Sequence, residues 1–424
     1  MKRKLIAAIG VVGMLAGVAA CGSGDDGDAK TGADGFKGQT LTVWAMDGST
    51  PDGWTKDVTA AFEKKTGATL KFEVQQWNGI QQKLTTALSE ANPPDVFEIG
   101  NTHTPAYAET GGLADLTDLK KEIGADWTES LNESSVVDGR QYAAPWYFAN
   151  RVVIYNKSVF KEAGVTAPPK TRDEFFAALD AIKAKGKAEP VYLPGQNWYF
   201  FDGLLIGKGA DLVKKDGDKW VSNLADPKVG EAMALYKKYA DYSKAPKDKD
   251  EATPQQADVF AKGKTGAFFG MGWEAATAIK ANPAIEKEIG YFTIPGDTAD
   301  KPEGVFLGGS NLAVAEGSEK KELAKEFLKI ALSDTFEGQL AKEGGVIPNK
   351  DALQDQLAGN AAAEAAAPAA KVGGTTPLIP EWAAVENAPS PIKAYMTAFL
   401  NGKSHAEAAA QVEGEFNKRL AQKQ

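Results

Sequence analysis

Thr40-Leu41-Thr42-Val43-Trp44 alternates polar with apolar side chains, as a strand with one inward face does. Trp54, Val58, Ala61 and Phe62 follow at helical spacing, and Gly67 closes that helix. Leu70, Phe72 and Val74 alternate again, a second helix lies around Ile80 to Ser89, and Asp95-Val96-Phe97-Glu98-Ile99 makes a third strand. The order β-α-β-α-β with short connections argues for a parallel sheet covered by helices.

Downstream the pattern restarts. Arg151-Val152-Val153-Ile154-Tyr155 reads as a strand. Thr171 and Glu174 form a capping box before Phe175, Leu179 and Ile182, and Gly186 ends that helix. Val191-Tyr192-Leu193, Gly266-Ala267-Phe268-Phe269, Ile289 to Ile294 and Asn311 to Ala315 are further short strands. Ser318 is placed to cap a helix carrying Leu323, Phe327 and Ile330. The Ala-rich stretch from Ala361 to Lys371 reads as a surface helix end or loop, and Ile392 to Leu420 as helical. Two α/β units in one chain predict two lobes. Open α/β sheets bind ligands outside the carboxyl ends of their strands, so two facing lobes make a cleft.

Upstream lies a leader. Lys2, Arg3 and Lys4 precede an apolar run from Leu5 to Val18, then Val18-Ala19-Ala20-Cys21. This is a secretion signal with a small-residue cleavage site. Cys21, the chain's only cysteine, resembles the lipobox cysteine of bacterial lipoproteins, which implies acylation there once residues 1–20 are cut away. Residues 21–38, rich in Gly and Asp, read as a flexible tether. Removing the leader's three positive charges takes the net charge from −9 to −12. That acidity argues against nucleic acid and against electrostatic docking on an anionic membrane. Membrane contact is expected through the lipid alone, at the extracytoplasmic face.

Metal and nucleophilic chemistry is poorly supplied, so no metal and no cofactor is expected. There are two histidines, His103 and His405, with no HExxH motif. His405 lies in a polar stretch and reads as solvated; His103 follows the third strand, where a cleft residue could sit, and otherwise reads as a loop histidine. Gly308-Gly309-Ser310 matches no phosphate loop. More informative are aromatic residues beside polar ones where strands give way to loops. These are Gln76-Trp77-Asn78, Pro145-Trp146-Tyr147, Gln196-Asn197-Trp198-Tyr199 and Gly272-Trp273-Glu274. A pyranose offers an apolar face of C–H groups to an indole and a rim of hydroxyls to Asn, Gln, Asp or Glu. The four junctions together favour carbohydrate.

The chain resembles the extracellular solute-binding proteins of carbohydrate ABC transporters, the group that includes maltose-binding protein. The motifs carrying the match are Ala60-Ala61-Phe62-Glu63-Lys64-Lys65-Thr66-Gly67, Pro93-Pro94-Asp95-Val96-Phe97 with Tyr107-Ala108-Glu109-Thr110-Gly111-Gly112-Leu113, Val153-Ile154-Tyr155-Asn156-Lys157-Ser158-Val159-Phe160, Phe260-Ala261-Lys262-Gly263-Lys264-Thr265-Gly266-Ala267 before Gly272-Trp273, and Glu322-Leu323-Ala324-Lys325-Glu326-Phe327-Leu328. The resemblance implies an α/β, two-lobed, periplasmic-binding-protein-like fold with a hinge and an interlobe cleft. It puts lobe one at 39–146 with 303–346 and lobe two at 147–302 with 347–424. It implies a non-catalytic monomer that hands a di- or oligosaccharide to the transmembrane subunits of an ABC permease.

The resemblance also implies a ligand site. Trp273 matches a sugar-stacking indole. Trp198, with Gln196 and Asn197 beside it, matches an aromatic and an acidic ligand residue, the acid being Gln196 here. Asp47 matches an acidic hydroxyl acceptor, and Asn101 and Thr102 replace another. Trp146, Tyr147 and Asn150 surround the position of a further missing acid, Ala149. Trp77, Gly309 and Trp382 complete the candidates. The departures point away from maltose, towards another oligosaccharide, with a lean to acetamido sugars. Two alternatives stay open: a binding protein for a non-carbohydrate solute, and a lipid-anchored glycoside hydrolase with carboxylates drawn from Glu98, Asp202 and Glu274.

Overall fold

A computed structural model describes residues 35–422. The leader, Cys21 and most of the tether lie outside the described residues. Strand β1 (Thr40–Met46) pairs in parallel with β2 (Thr69–Gln75) and β3 (Val96–Gly100), as the alternation predicts. Helix Asp52–Thr66 fills the first crossover. Its Trp54, Val58 and Phe62 fall on one face, since residues four apart lie one above another, and that face is buried. Gly67 ends it at φ 70°, a left-handed conformation that glycine adopts without Cβ strain.

The chain then runs through β4 (Ala144–Ala149) and, two residues on, β5 (Val152–Asn156). β6 (Glu189–Tyr192), β7 (Thr265–Gly270) and β8 (Ile289–Phe292) follow, then β9 (Gly308–Val314) and β10 (Ile347–Pro348). One sheet has the order β10-β4-β9-β3-β1-β2, the other β8-β5-β7-β6. β9 is antiparallel to β3 and β4, and β5 to β7, so each sheet is mixed. The chain passes between the sheets at 149–152, again between β8 and β9, and again beyond β10. Tyr147–Ala149 and Ile347–Pro348 thus belong to the six-stranded sheet, a few residues past the boundaries expected from the sequence.

Each sheet has its own core. Trp54, Phe62, Trp146, Leu312 and Phe327 cluster on the six-stranded one. Phe175, Phe201, Tyr236, Phe269 and Trp382 cluster on the other.

Three local readings need correction. Ser318 does not cap the helix Lys321–Ala331; its hydroxyl donates to Asp95 Oδ1 at 2.6 Å and accepts from Lys320 N–H. The Ala-rich stretch is a packed helix, Ala361–Ala370, with Ala362, Ala363, Ala366 and Ala369 buried. Small side chains let it approach β5 and β8 closely. The segment after Ile392 is helical as expected, in two helices, Pro391–Leu400 and His405–Leu420, separated by a turn at Asn401–Gly402. His405 begins the second, and its Nδ1 lies 2.9 Å from Tyr395 Oη, so it is not simply solvated.

Candidate functional site

The loops that follow β1, β2 and β3 carry the first group of candidates. Asp47 lies exposed just past β1, its N–H bonded to Gln75 O. Trp77 stands past β2 with 44% of its surface exposed. Asn101 is buried; its N–H donates to Gly309 O at 2.9 Å and its Nδ2 to Leu307 O at 3.0 Å. Gly309 is required by close approach, because a Cβ there would sit 2.4 Å from Tyr147 O. Under these loops lies a buried carboxylate that the ligand candidates left out. Glu98 accepts from Met46 N–H, Ser49 Oγ and Tyr147 Oη, at 2.7 to 2.8 Å. It ties β3 to the start of the loop that holds Asp47. Burial raises the Glu98 carboxyl above its ordinary value.

The second group comes from the other sheet. Trp273 begins the helix Gly272–Ala281 directly after β7 and is 45% exposed. Its turn is fixed by Glu274, whose Oε2 accepts from Met271 N–H at 2.7 Å and whose Oε1 accepts from Gln256 Nε2 at 2.8 Å. Glu274 is therefore a helix-start residue, as its position suggests. Burial pushes its carboxyl up to about 7. Trp198 is buried, 4.3 Å between ring centroids from Tyr199 and 6.2 Å from Trp382. Trp382 is buried as well, its Nε1 donating to Glu386 Oε1 at 2.9 Å. Gln196 donates to Thr397 Oγ1.

Three candidates are structural in this arrangement. Trp146 lies in the core of the six-stranded sheet, 5.6 Å from Trp54 and 5.1 Å from Tyr147, where β4 slips its register against β9. Asn150, buried between the sheets, donates to Ala366 O at 3.2 Å and ties the first crossing to the Ala-rich helix. Asn197 caps the helix Trp198–Lys208 by accepting from Phe200 N–H.

A polar cluster surrounds half-buried Tyr199. Arg151 stacks over its ring at 5.5 Å and donates to Glu251 at 2.8 Å. Phe306 stacks at 4.7 Å. Asp202 is buried on the same helix with its Oδ2 lacking a partner. Burial pushes Asp202 up to about 8, with Glu386 adding to the rise and Arg151 opposing it. A carboxyl raised on folding holds its proton more firmly in the native state, so its contribution to stability falls as pH rises from its ordinary value through 8. Asp202→Asn removes that loss. The substitution is therefore expected to favour the folded state more at pH 8 than at pH 5, by about 1.4 kcal/mol or more, the free energy of a tenfold change in proton binding. Thermal unfolding across that range checks it; equal effects at both ends would refute it.

Thr102 joins the two groups. Its Oγ1 donates to Glu386 Oε2 at 2.9 Å, connecting the loop after β3 with the helix Trp382–Glu386. Asn101, Thr102, Gly309, Trp198 and Trp382 thus form one connected set. Asp47, Trp77 and Trp273 lie outside this set, with exposed side chains. Glu386, Arg151, Tyr199 and Glu98 were not among the ligand candidates. Tyr199 had a signal as the neighbour of Trp198 at a strand-to-helix junction, and Glu98 was named only as a carboxylate for the hydrolase alternative. A surface depression of about 750 Å³ between Trp44, Lys83 and Lys320 contains none of these residues. Among the described residues no cluster of His, Cys, Asp and Glu could hold a metal ion.

Two mixed α/β lobes joined by crossing segments, with aromatic and polar side chains gathered where strands end between them, define a solute-binding fold. The chain belongs to the bacterial extracellular solute-binding proteins, whose family model matches residues 47–337. It is 72% identical over the full length of both chains to the diacetylchitobiose binding protein DasA of Streptomyces coelicolor. It is 25% identical to the maltodextrin-binding protein MdxE of Bacillus subtilis, over 87% of this chain and 86% of that one. Among solved structures, the GacH receptor of Streptomyces glaucescens, described unliganded and with acarbose, superposes with a TM-score of 0.77 at 24% identity, covering 91% of this chain and 99% of that one.

Proposed function

We propose that this protein captures diacetylchitobiose, a pair of linked N-acetylglucosamine units, outside the cell and delivers it to the membrane subunits of an ATP-driven importer. The observation that carries the reading is the 72% identity along the whole chain to a protein named for that ligand. The site chemistry supports it. Trp77 and Trp273 are exposed indoles at strand ends, suited to the C–H faces of two successive rings. Gln196, half-buried, offers a neutral amide that can pair with both ends of an acetamido amide, where a carboxylate would suit only its N–H.

Capture works by closure. The lobes, approximately 39–149 with 308–357 and the remainder, turn about the crossing segments. A sugar that touches both lobes only when they are closed shifts the population towards that form. Acylation at Cys21 keeps the protein at the outer membrane surface, because several buried acyl chains hold far better than one.

Calorimetry on the soluble chain starting at Gly22 tests the reading. Diacetylchitobiose is expected to bind one to one, with affinity near micromolar or tighter, about −8 kcal/mol or below, and to be recovered intact. Maltose and cellobiose, which lack acetamido groups, are expected to bind more weakly. Silence with every sugar would move the ligand to a non-carbohydrate solute.

A further inference from the structure

Glu386 lies in none of the sequence motifs, yet it makes a buried side-chain contact from one lobe to the other. It ends the helix Trp382–Glu386, which packs with the C-terminal helices against the four-stranded sheet's core. Its side chain, 4% exposed, reaches the loop that follows β3 of the six-stranded sheet. Thr102 Oγ1 donates to Oε2 at 2.9 Å, and His103 Nε2 lies 3.4 Å from the same oxygen. Trp382 Nε1 donates to Oε1 at 2.9 Å. Behind Thr102, its Oγ1 lies 2.9 Å from His103 Nδ1, and His103 Nε2 lies 3.2 Å from Gln81 Nε2. One proton assignment satisfies the chain: Gln81 donates to His103 Nε2, His103 Nδ1–H donates to Thr102, and Thr102 donates to Glu386. A buried hydrogen-bonding partner left unmatched is costly.

We propose that Glu386 is a positioning residue for sugar binding. From the far lobe it holds Thr102, and through Thr102 also His103, so that the ligand loop Asn101–His103 is set only when the lobes are closed. This rests on the sugar-capture reading above. Opening the lobes separates Glu386 from Thr102, and closing restores the bond. Part of the free energy of closure therefore comes from the protein itself, and the sugar supplies the rest.

The pair also governs how binding responds to pH. The groups facing Glu386 are His103 from the loop after β3, Asp202 and Tyr199 from the helix Trp198–Lys208, and Lys393 from the helix Pro391–Leu400. Burial pushes Glu386 up to about 7 and His103 down to about 4. In the open form both return towards ordinary values. Near pH 5.5, closure then adds a proton to Glu386 and removes one from His103, and the pair's proton count does not change. Binding by the wild type is flat in that window. In Glu386→Gln the proton that His103 gives up on closure is no longer offset by Glu386. Its closed form carries fewer protons, so affinity is full above about 6.5 and falls as pH drops.

The test measures diacetylchitobiose affinity by calorimetry for the wild type, Glu386→Ala, Glu386→Gln and Thr102→Val from pH 5 to 7.5. Small-angle scattering of each protein without sugar accompanies it. Expected are a roughly tenfold or greater loss for Glu386→Ala at pH 7, a comparable loss for Thr102→Val, and a larger radius of gyration for both. Glu386→Gln is expected to gain a pH dependence absent from the wild type. If Glu386→Ala does not fold, Thr102→Val and Glu386→Gln carry the test. Variants that bind within twofold of the wild type, with its pH profile and its scattering curve, overturn the role of Glu386. A wild type that ignores the sugar overturns the ligand reading instead, and the scattering comparison then decides the role of Glu386 alone.

Discussion

Trp273→Ala is expected to weaken diacetylchitobiose binding by about 2–4 kcal/mol, roughly 30- to 900-fold, the range found when an aromatic anchor is truncated. The indole is 45% exposed at the first turn of Gly272–Ala281, so its ring is available to a ligand and little of it is committed to packing. The turn beneath it does not depend on the ring. Met271 N–H and Gln256 Nε2 are both held by the Glu274 carboxylate, which the substitution leaves in place. Stability should therefore change by no more than about 0.5 kcal/mol, as for surface positions without a special role. Trp273→Phe should recover part of the affinity, since a smaller ring still covers the C–H face of a sugar. Titration calorimetry and urea unfolding of the same preparations separate the two effects. Affinity unchanged within about 0.5 kcal/mol would remove Trp273 from the site.

The four tryptophan junctions show what the sequence could and could not tell. Periodicity located the ends of strands, and at each end an indole was found. It did not say which way the indole faces. Trp77 and Trp273 lie in the first residues after a strand and face outward. Trp146 lies within β4 and Trp198 opens a helix whose N-terminal turn is tucked against Phe306 and Trp382, and both face inward. A shift of one residue along a strand reverses the face, and a strand end inferred from turn residues is no better placed than that. The parallel start of the six-stranded sheet was legible because Leu41, Val43 and Leu70 repeat the alternation across paired strands. The Ala-rich helix was misread because apolar area was the criterion, whereas its burial depends on how closely small side chains let it approach β5 and β8. Glu386 carried no local signal at all. Its importance comes from Thr102, 284 residues away along the chain.

Trp146→Ala should show the opposite pattern, a loss of stability with sugar affinity largely kept. The ring is buried between Trp54 at 5.6 Å and Tyr147 at 5.1 Å, in the cluster that joins helix Asp52–Thr66 to the six-stranded sheet. Removing it leaves a cavity that close-packed neighbours fill only in part, which costs about 3–5 kcal/mol for a large aromatic. The indole Nε1 is buried without a partner. Trp146→Phe should accordingly cost much less than Trp146→Ala, because it keeps most of the packing and removes an N–H that has nothing to donate to. The Tyr147 hydroxyl keeps its bonds to Ser49 and Glu98 in both variants, so the loop bearing Asp47 stays anchored. Urea unfolding should show the drop in midpoint for Trp146→Ala, and calorimetry well below the unfolding transition should find the affinity within about 0.5 kcal/mol of wild type. An unchanged midpoint with lost binding would return Trp146 to the sugar site.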